Sequence, residues 1–454
     1  MSLDELRALL PDGAMLTDAD LLASYRQCWS KDPNAGTPLA VVRATSTADV
    51  QAVLRWASGR QVPVVPRGAG SSLSGGSTAV DGAITLSLER MREVRIDPVL
   101  RVAIAQPGAF NAAVKAAAAE HGLWYPPDPS SYEICSIGGN AATNAGGLCC
   151  VKYGVTTDYV LGMEVVLADG TALRLGGPRL KDVAGLSLTK LFVGSEGTLG
   201  VITELTLRLL PTPPAASTLV ATFASIEAAA DAVVAITAGL RPSMLELMDN
   251  GSINAVEDMV KMGVDRSAGA LLLARSDAPG GAAAEEIARM REACERCAAA
   301  EVFTTSDADE GESFAAFRRA AFPAMERLGS LLLEDVGVPV PELPALVHGV
   351  REIAAARDTQ IVLVAHAGDG NTHPIIAYPP GDLDAEARAR LAFGEIMDLA
   401  IGLGGTITGE HGVGRLKAAW LPAQLGPDVM MLTQRIKDAL DPDGILNPGV
   451  VLGK

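Results

Sequence analysis

Histidine, aromatic residues and basic charge are scarce in this sequence, and long apolar runs are absent. The 454 residues include 5 histidines and 4% aromatics, and the net charge is −17. This acidic balance argues against nucleic-acid binding, which needs a basic surface. No segment reaches the roughly 18 uncharged apolar residues of a membrane span, and the N-terminus lacks the basic-then-apolar layout of a signal peptide. We therefore expect a cytoplasmic protein that reaches a membrane at most through a partner.

Cysteine is also sparse, with six residues scattered along a long chain, so reduced thiols are expected. Cys294 and Cys297 form a CxxC pair, which could serve a redox or zinc site. The pair lies in an Ala/Glu/Arg-rich helical pattern without a second pair, which favours an unreactive helix surface. No run of cysteines has the spacing of an iron–sulfur site.

The chain is too long for one typical core, and Pro211-Thr-Pro-Pro214 is its strongest boundary signal. The segment before the boundary predicts a β-α-β unit near its start. Leu39–Val42 and Val62–Pro66 read as strands, and Ser46 caps a helix that Gly59 ends. Farther along, Asp169-Gly170 predicts a hairpin.

Three glycine-rich stretches follow the predicted strands of this first half, over residues 67–77, 138–147 and 197–202. The first contains four glycines and four serines, so its backbone amides and small hydroxyls could surround a diphosphate. It is not the G-x-G-x-x-G fingerprint, because Leu73 stands at the third glycine position. A flexible linker is the alternative, although strand-like segments on both sides argue against it.

Three of the five histidines, His366, His373 and His411, lie in the two late segments 366–373 and 409–412. His366 and His373 are too far apart on a helix or a straight strand to share an ion. The turn-forming run from Gly368 to Asn371 could fold the chain back between them, and Glu410 would add a carboxylate ligand. From spacing alone, two ordinary histidines beside a turn remain an equal alternative.

Taken together and in this order, these motifs resemble the vanillyl-alcohol oxidase/p-cresol methylhydroxylase flavoprotein superfamily. Within it the chain resembles the D-2-hydroxy-acid dehydrogenase branch, which includes glycolate oxidase D subunits and D-lactate dehydrogenases. The resemblance implies an α+β fold. It comprises a two-subdomain FAD-binding domain of the p-cresol methylhydroxylase (PCMH) type, a cap domain with an antiparallel sheet and helices, and a C-terminal segment that returns to the FAD domain. The expected divisions are an N-terminal helical segment over 1–36, the FAD domain over 37–213, the substrate or cap domain with the metal site over 214–425, and the C-terminal segment over 426–454.

The resemblance also implies which residues hold FAD. They are Pro66, Arg67, Gly68, Ala69, Gly70, Ser71, Ser72, Gly76, Ser77, Pro129, Ser130, Gly138, Gly139, Asn140, Thr143, Asn144, Gly146, Gly147, Tyr153, Gly154, Glu196, Gly197, Gly200, Val201, Ile202 and Asn447. Some relatives attach FAD through a histidine in the first loop. Ser71 and Ser72 occupy that place here, so non-covalent FAD is implied.

The family places a divalent metal, Zn or Mn, on residues matching His366, His373 and Glu410, and a proton-abstracting base on the residue matching His411. Arg318 takes the place of a family arginine that binds the substrate carboxylate. The alternative for Arg318, from the residues alone, is a solvated helix face.

We therefore expect FAD- and metal-dependent oxidation of a small D-2-hydroxy acid, glycolate or D-lactate, to the 2-oxo acid. A D-2-hydroxyglutarate dehydrogenase is the alternative. Leu333 and Ile375 argue against it, since they stand where those enzymes carry lysine and asparagine for a second carboxylate. A flavoprotein subunit that needs partners for turnover would also fit the sequence, and a flavin-free metallohydrolase would fit its late histidines. The expected partners are an external acceptor (a quinone, an electron-transfer flavoprotein or an iron–sulfur subunit) and a second copy in a homodimer.

Overall fold

A computed structural model describes residues 3–453. The chain forms two compact units. The first unit contains residues 3–146, 155–212 and 410–453, and the second contains residues 147–154 and 213–409. Each unit is therefore assembled from separate stretches of sequence.

The helices, in chain order, are α1 Leu3–Ala8, α2 Ala19–Ala23, α3 Thr47–Ser58, α4 Asn111–Ala119, α5 Ile137–Thr143, α6 Cys150–Tyr153, α7 Leu188–Phe192, α8 Ile226–Thr237, α9 Asn250–Val260, α10 Ala282–Arg296, α11 Ala308–Arg319, α12 Ala321–Met325, α13 Leu343–Ala356, α14 Leu383–Gly402 and α15 Leu421–Leu440. Two 3-10 helices cover Thr156–Asp158 and Val340–Glu342. The last helix, α15, is interrupted at Gly426, whose backbone is not helical.

The strands are β1 Met15–Leu16, β2 Ala40–Arg43, β3 Val64–Arg67, β4 Ile84–Ser87, β5 Val94–Asp97, β6 Val102–Ala105, β7 Leu123–Trp124, β8 Val160–Val166, β9 Ala172–Gly176, β10 Val201–Arg208, β11 Leu210–Pro211, β12 Ser217–Phe223, β13 Met244–Asp249, β14 Ala270–Ser276, β15 Ala299–Thr305, β16 Ser330–Leu333, β17 Val336–Gly337, β18 Gln360–His366 and β19 Asn371–Tyr378. They form three larger sheets and a pair, β7 with β11.

The first sheet of the first unit has the order β1-β2-β4-β3, and it confirms the predicted β-α-β unit. Strands β2 and β3 both run parallel to β4, which lies between them. Helix α3 makes the crossover from β2 to β3. It begins with a capping box in which Ser46 and Asp49 satisfy each other's backbone N–H groups. Val50, Val53 and Leu54 on this helix are fully buried in the core of the sheet.

The second sheet of this unit has the order β5-β6-β10-β8-β9, with antiparallel pairing throughout. Strands β8 and β9 form the hairpin predicted from Asp169-Gly170. Gly170 has a φ of +79°, a conformation that glycine adopts without the steric cost of a side chain.

The C-terminal segment returns to the first unit, as predicted. The Val64 N–H donates to the Ile445 carbonyl at 2.8 Å, and Val64 forms a parallel bridge with Leu446. Ile445 and Leu446 are buried in the same core as α3. Residues near position 445 thus complete the edge of a sheet that begins near position 40.

The second unit is built on one antiparallel sheet of eight strands. Seven strands follow the order β15-β12-β14-β13-β18-β19-β16, and β17 also pairs with β19. On one face, Met244, Met248 and Leu271 pack against α9, α11 and α12 in a hydrophobic cluster. Together the two units show the mixed helix-and-sheet architecture that the sequence predicted.

Within residues 3–453, no helix combines the length and hydropathy required to cross a membrane. All six cysteines are free thiols. Cys294 is buried on α10 and Cys297 caps the end of that helix. Burial raises the pKa of Cys294 to about 12, which disfavours the reactive thiolate and is consistent with an unreactive pair.

Candidate active site

The turn between β18 and β19 brings His366 and His373 together, as the glycine-rich run predicted. In the hairpin His373 lies opposite Val364, two residues before His366, so the two histidines are diagonal neighbours on one face. Their ring centroids are 5.1 Å apart. Gly370 makes the turn possible. Its φ is +82°, and a Cβ there would overlap the Val338 carbonyl. Both histidines are buried.

His366 is held by a buried carboxylate that also contacts Arg318. Both oxygens of Glu246 lie 2.9 Å from His366 Nδ1, and Glu246 Oε2 lies 2.9 Å from Arg318 Nη2. A carboxylate oxygen accepts hydrogen bonds, so this contact favours the tautomer that carries its hydrogen on Nδ1 and leaves Nε2 as the acceptor nitrogen. Arg318 is therefore a buried cation in the histidine network, and not part of a solvated helix face.

Asp335 plays a similar part beside His373. Its carboxylate is fully buried and accepts hydrogen bonds from Asn371 Nδ2 at 2.9 Å and Thr408 Oγ1 at 2.7 Å. His373 Nδ1 lies 3.6 Å from Asp335 Oδ1, and the Gly409 N–H donates to the Asp335 backbone carbonyl at 2.9 Å. The backbone of Asp335 thereby holds Gly409, the last residue of the second unit.

Gly409 itself has no room for a side chain, because a Cβ would overlap the Asn371 amide. Glu410 and His411 then begin the last stretch of the first unit. His411 Nε2 lies 3.6 Å from Glu410 Oε1, and the His411 carbonyl accepts a hydrogen bond from Ser74 Oγ at 3.1 Å. The backbone of this candidate base is thus tied to the first glycine-rich loop.

Glu196 fixes the same stretch from another side. Its carboxylate accepts hydrogen bonds from the backbone N–H groups of Val413 at 2.8 Å and Gly414 at 2.9 Å. Burial raises the pKa of Glu196 from 4.5 to about 7, although these hydrogen bonds oppose the shift. Glu196 is thus predominantly protonated at pH values where an unfolded chain has released the proton.

The raised pKa predicts that Glu196 makes the folded state less stable as pH rises from 4.5 towards 7, since only the unfolded chain loses its proton there. We expect Glu196→Gln to remove this slope. Relative to the wild type, the variant should gain about 2–3 kcal/mol in free energy of unfolding between pH 5 and pH 8. Urea denaturation of the FAD-saturated proteins at several pH values measures this change in the free energy of unfolding. Glu93→Gln, an exposed carboxylate of the same unit, is the matched control, and parallel wild-type and Glu196→Gln curves would contradict the prediction.

The first glycine-rich loop, residues 67–77, wraps around the guanidinium of its own first residue, Arg67. The Arg67 guanidinium lies against Gly70, where a Cβ would overlap it, and Arg67 Nη1 donates to the Ser77 carbonyl at 3.3 Å. The guanidinium carbon also lies over the Tyr25 ring, 5.7 Å from its centroid. The buried Ser77 hydroxyl has no hydrogen-bond partner among the described residues. A partly buried arginine, the backbone amides of a glycine-rich loop and a buried hydroxyl without a partner among the described residues fit a diphosphate.

The second glycine-rich stretch folds into α5 and its left-handed cap, Asn144. Ser136 caps the helix by accepting from the Gly139 N–H at 3.3 Å, and it also accepts from the Ala69 N–H at 3.3 Å. Helix α5 is therefore tied to the first loop. Gly138 packs so closely on Pro107 that a Cβ there would overlap it.

The end of that stretch belongs to the second unit. Gly147, Tyr153 and Gly154 lie in the short excursion 147–154. The Tyr153 hydroxyl donates to Asp277, which also pairs with Lys152. Of the residues predicted to hold FAD, these three belong to the second unit, whereas the first loop belongs to the first unit.

Asn447 joins the first glycine-rich stretch to Glu196, the residue before the third stretch, in the first unit. Its side-chain amide donates to the carbonyls of Gly76 at 2.8 Å and Glu196 at 2.7 Å. Its Oδ1 is buried without a hydrogen-bond partner among the described residues. A buried acceptor beside two glycine-rich stretches fits a ligand with ring N–H groups, such as a flavin.

Leu333 and Ile375, the two apolar positions predicted to exclude a second carboxylate, are cross-strand partners on β16 and β19. Ile375 is buried in the hydrophobic cluster of the second unit, and Leu333 packs against that cluster. The structure thus places the two side chains side by side, although the sequence separates them by 42 positions.

Comparison with known proteins places these features in a family. The family described as "FAD linked oxidases, C-terminal domain" matches residues 212–451, and the one described as "FAD binding domain" matches residues 38–176. The chain belongs to the FAD-linked oxidases. It is 41% identical over 420 residues to glycolate oxidase subunit GlcD of Bacillus subtilis, covering 92% of this chain and 89% of that one.

Two further comparisons extend this picture. The FAD-linked oxidase is 34% identical over 425 residues to D-lactate dehydrogenase of Archaeoglobus fulgidus, covering 93% of both chains. The crystal structure of p-cresol methylhydroxylase superposes on this chain with a TM-score of 0.83 at 20% identity. The match covers 100% of this chain and 96% of p-cresol methylhydroxylase. The PCMH-type fold is therefore confirmed, and the chain is an FAD-dependent oxidoreductase. A flavin-free metallohydrolase does not agree with this membership.

Two site residues escaped the sequence prediction, Glu246 and Asp335. Glu246 is the one charged residue in the run Met244-Leu-Glu-Leu-Met248, and Asp335 follows the apolar strand β16. A lone carboxylate in an apolar strand indicates a buried partner, because an unpaired buried charge is costly. That signal was present at Glu246 but not at Asp335, which directly follows another acid, Glu334, after the strand has ended. It does not identify the partner.

Proposed function

We propose that this FAD-linked oxidase oxidises a small D-2-hydroxy acid, glycolate or D-lactate, to the corresponding 2-oxo acid. The observation that carries the proposal is the buried network in which Glu246 joins Arg318 to His366, with His373 on the same hairpin. It combines a carboxylate-binding cation with a histidine pair of metal-ligand type. The names of the relatives from Bacillus subtilis and Archaeoglobus fulgidus support the same substrate class.

We further propose a divalent metal, Zn or Mn, held by His366, His373 and Glu410. The donor set fits: His366 presents Nε2 while its Nδ1 donates to Glu246, the arrangement that metal-binding histidines commonly show. Asp335 contacts His373 and binds Gly409, the residue before Glu410. When bound, such a metal polarises the substrate hydroxyl and lowers its pKa.

The remaining roles follow from the chemistry of the side chains. Arg318 would bind the substrate carboxylate through two parallel hydrogen bonds, and His411 would remove the hydroxyl proton. FAD, held without a covalent bond by the residues predicted from the glycine-rich stretches and Asn447, supplies the hydride acceptor. Leu333 and Ile375 offer no cation to a second carboxylate, which supports a monocarboxylate over D-2-hydroxyglutarate.

Electrons must then leave the flavin for an external acceptor. We propose a quinone, an electron-transfer flavoprotein or an iron–sulfur subunit, because this sequence has no iron–sulfur motif of its own. The word "subunit" in the name of the Bacillus subtilis relative supports a multi-subunit enzyme as the second candidate. The homodimer and the four divisions 1–36, 37–213, 214–425 and 426–454 stay predictions.

An anaerobic screen tests the substrate class. We expect the purified yellow protein to lose its absorbance near 450 nm, about where oxidised flavins absorb, on addition of D-lactate or glycolate. L-lactate is the matched control, and D-2-hydroxyglutarate tests the dicarboxylate reading. A flavin that stays oxidised with every 2-hydroxy acid would refute the proposal. Turnover of the isolated chain with an artificial dye would show that no partner subunit is required.

A further inference from the structure

Glu246 is a buried carboxylate in the centre of an apolar strand of the second unit. Its side chain is 1% exposed, and its nearest neighbours along β13 are Leu245 and Leu247. Removing a carboxylate from water is costly unless charged or hydrogen-bonding partners compensate for it. Glu246 contacts His366 and Arg318. The proposed function assigns the metal to His366 and the substrate carboxylate to Arg318.

The sheet register explains why these partners meet. Strands β13 and β18 are antiparallel, with Leu247 opposite Ala365. Continuing that register places Glu246 opposite His366, whose Nδ1 lies 2.9 Å from both carboxylate oxygens. Arg318, from α11, approaches Oε2 with Nη2 at 2.9 Å. One carboxylate therefore shares its charge between an imidazole and a guanidinium.

Arg318 retains donors beyond this ion pair. Its side chain is 4% exposed. Nε makes no hydrogen bond with any described residue, and Nη2, the atom of the ion pair with Glu246, makes none of good geometry. A guanidinium carries five N–H donors in a fixed plane, and buried donors without acceptors are unfavourable. An arriving carboxylate would satisfy those donors, while Glu246 continues to hold the side chain in position.

We propose that Glu246 is a positioning residue that couples metal binding at His366 to carboxylate binding at Arg318. A cation on Nε2 of His366 makes the Nδ1–H a stronger donor, so Glu246 interacts more with the imidazole. Its negative charge then neutralises Arg318 less, and Arg318 attracts an anion more strongly. Because coupling is reciprocal, the anion raises the affinity for the metal by the same factor. This inference rests on the proposed roles of His366 and Arg318.

Propionate and Mn²⁺ are suitable probes, because propionate has a carboxylate but no hydroxyl to chelate the metal. We expect the propionate dissociation constant of the FAD-loaded protein, read from the flavin absorbance, to fall about tenfold when Mn²⁺ is bound, within the usual range for such coupling. The Mn²⁺ dissociation constant should fall by the same factor when propionate is saturating. In Glu246→Gln, which keeps the shape but not the charge, both ratios should approach one.

Glu257→Gln is the matched control, since Glu257 is another buried carboxylate of this unit, and its oxygens accept the backbone N–H groups of Met262, Gly263 and Val264. It should keep the full coupling. Coupling that persists in Glu246→Gln would overturn the inference. A wild-type protein whose affinities for Mn²⁺ and propionate are independent would also overturn it, without the need for a variant. Failure of the wild type to bind Mn²⁺ or propionate at all would instead refute the proposed function.

Discussion

Replacing His411 with alanine is expected to slow anaerobic flavin reduction by D-lactate or glycolate about 100- to 10,000-fold, the range observed when a general base is lost. The flavin should remain bound, because His411 contacts the first glycine-rich loop through its backbone carbonyl, which accepts from Ser74. Alanine keeps that carbonyl. The loss should therefore appear in the rate of reduction and not in FAD content.

Stopped-flow absorbance near 450 nm, about the flavin maximum, measures this rate. His348→Ala is the matched control, since His348 is a surface histidine of α13 with its side chain 62% exposed, and it should reduce at the wild-type rate. A His411→Ala protein that reduces as fast as the wild type would exclude His411 as the base, whatever the metal content.

His373→Ala and Glu410→Ala should each lose the metal while FAD stays bound. Each change removes one of three proposed ligands, so we expect metal affinity to fall by more than the roughly 10- to 100-fold that loss of a supporting residue causes. The flavin loops are built from other residues. Metal content by mass spectrometry and flavin content by absorbance separate the two effects in one sample.

Asp335→Asn provides a graded comparison for these two variants. The Asp335 carboxylate lies 3.6 Å from His373 Nδ1, and loss of a supporting residue of this kind should cost only about 10- to 100-fold in metal affinity. A Glu410→Ala protein that keeps its metal and full activity would remove Glu410 from the ligand set. A larger loss in Asp335→Asn than in Glu410→Ala would make Asp335 the better ligand candidate.

Local sequence signals predicted much of the fold, because the residues that form those elements are near neighbours. The α3 capping box, the Asp169-Gly170 hairpin and the turn after His366 each depend on a few consecutive residues. The order of the strands is not local. Packing across long sequence separations places β4 between β2 and β3. It also joins residues 147–154 to the second unit.

The same distinction separates the predicted site residues from those that were missed. His366 and His373 lie in one hairpin, so their meeting could be inferred from the turn between them. Glu246 lies 120 positions before His366, and only the pairing of β13 with β18 brings them together. Arg318 was predicted from a family resemblance, but its ion pair with Glu246 could not be, since no spacing rule connects α11 to β13.

The return of the C-terminus to the first unit has a consequence for biosynthesis. The Val64 backbone donates to Ile445, so the edge of the first sheet stays open until nearly the whole chain has left the ribosome. An uncovered strand edge is a template for pairing with other chains, and long-range closure slows folding. Nascent protein should therefore depend on chaperones until translation ends. Truncation before Ile445 should yield aggregates even though all three glycine-rich stretches and the histidine hairpin are already synthesised.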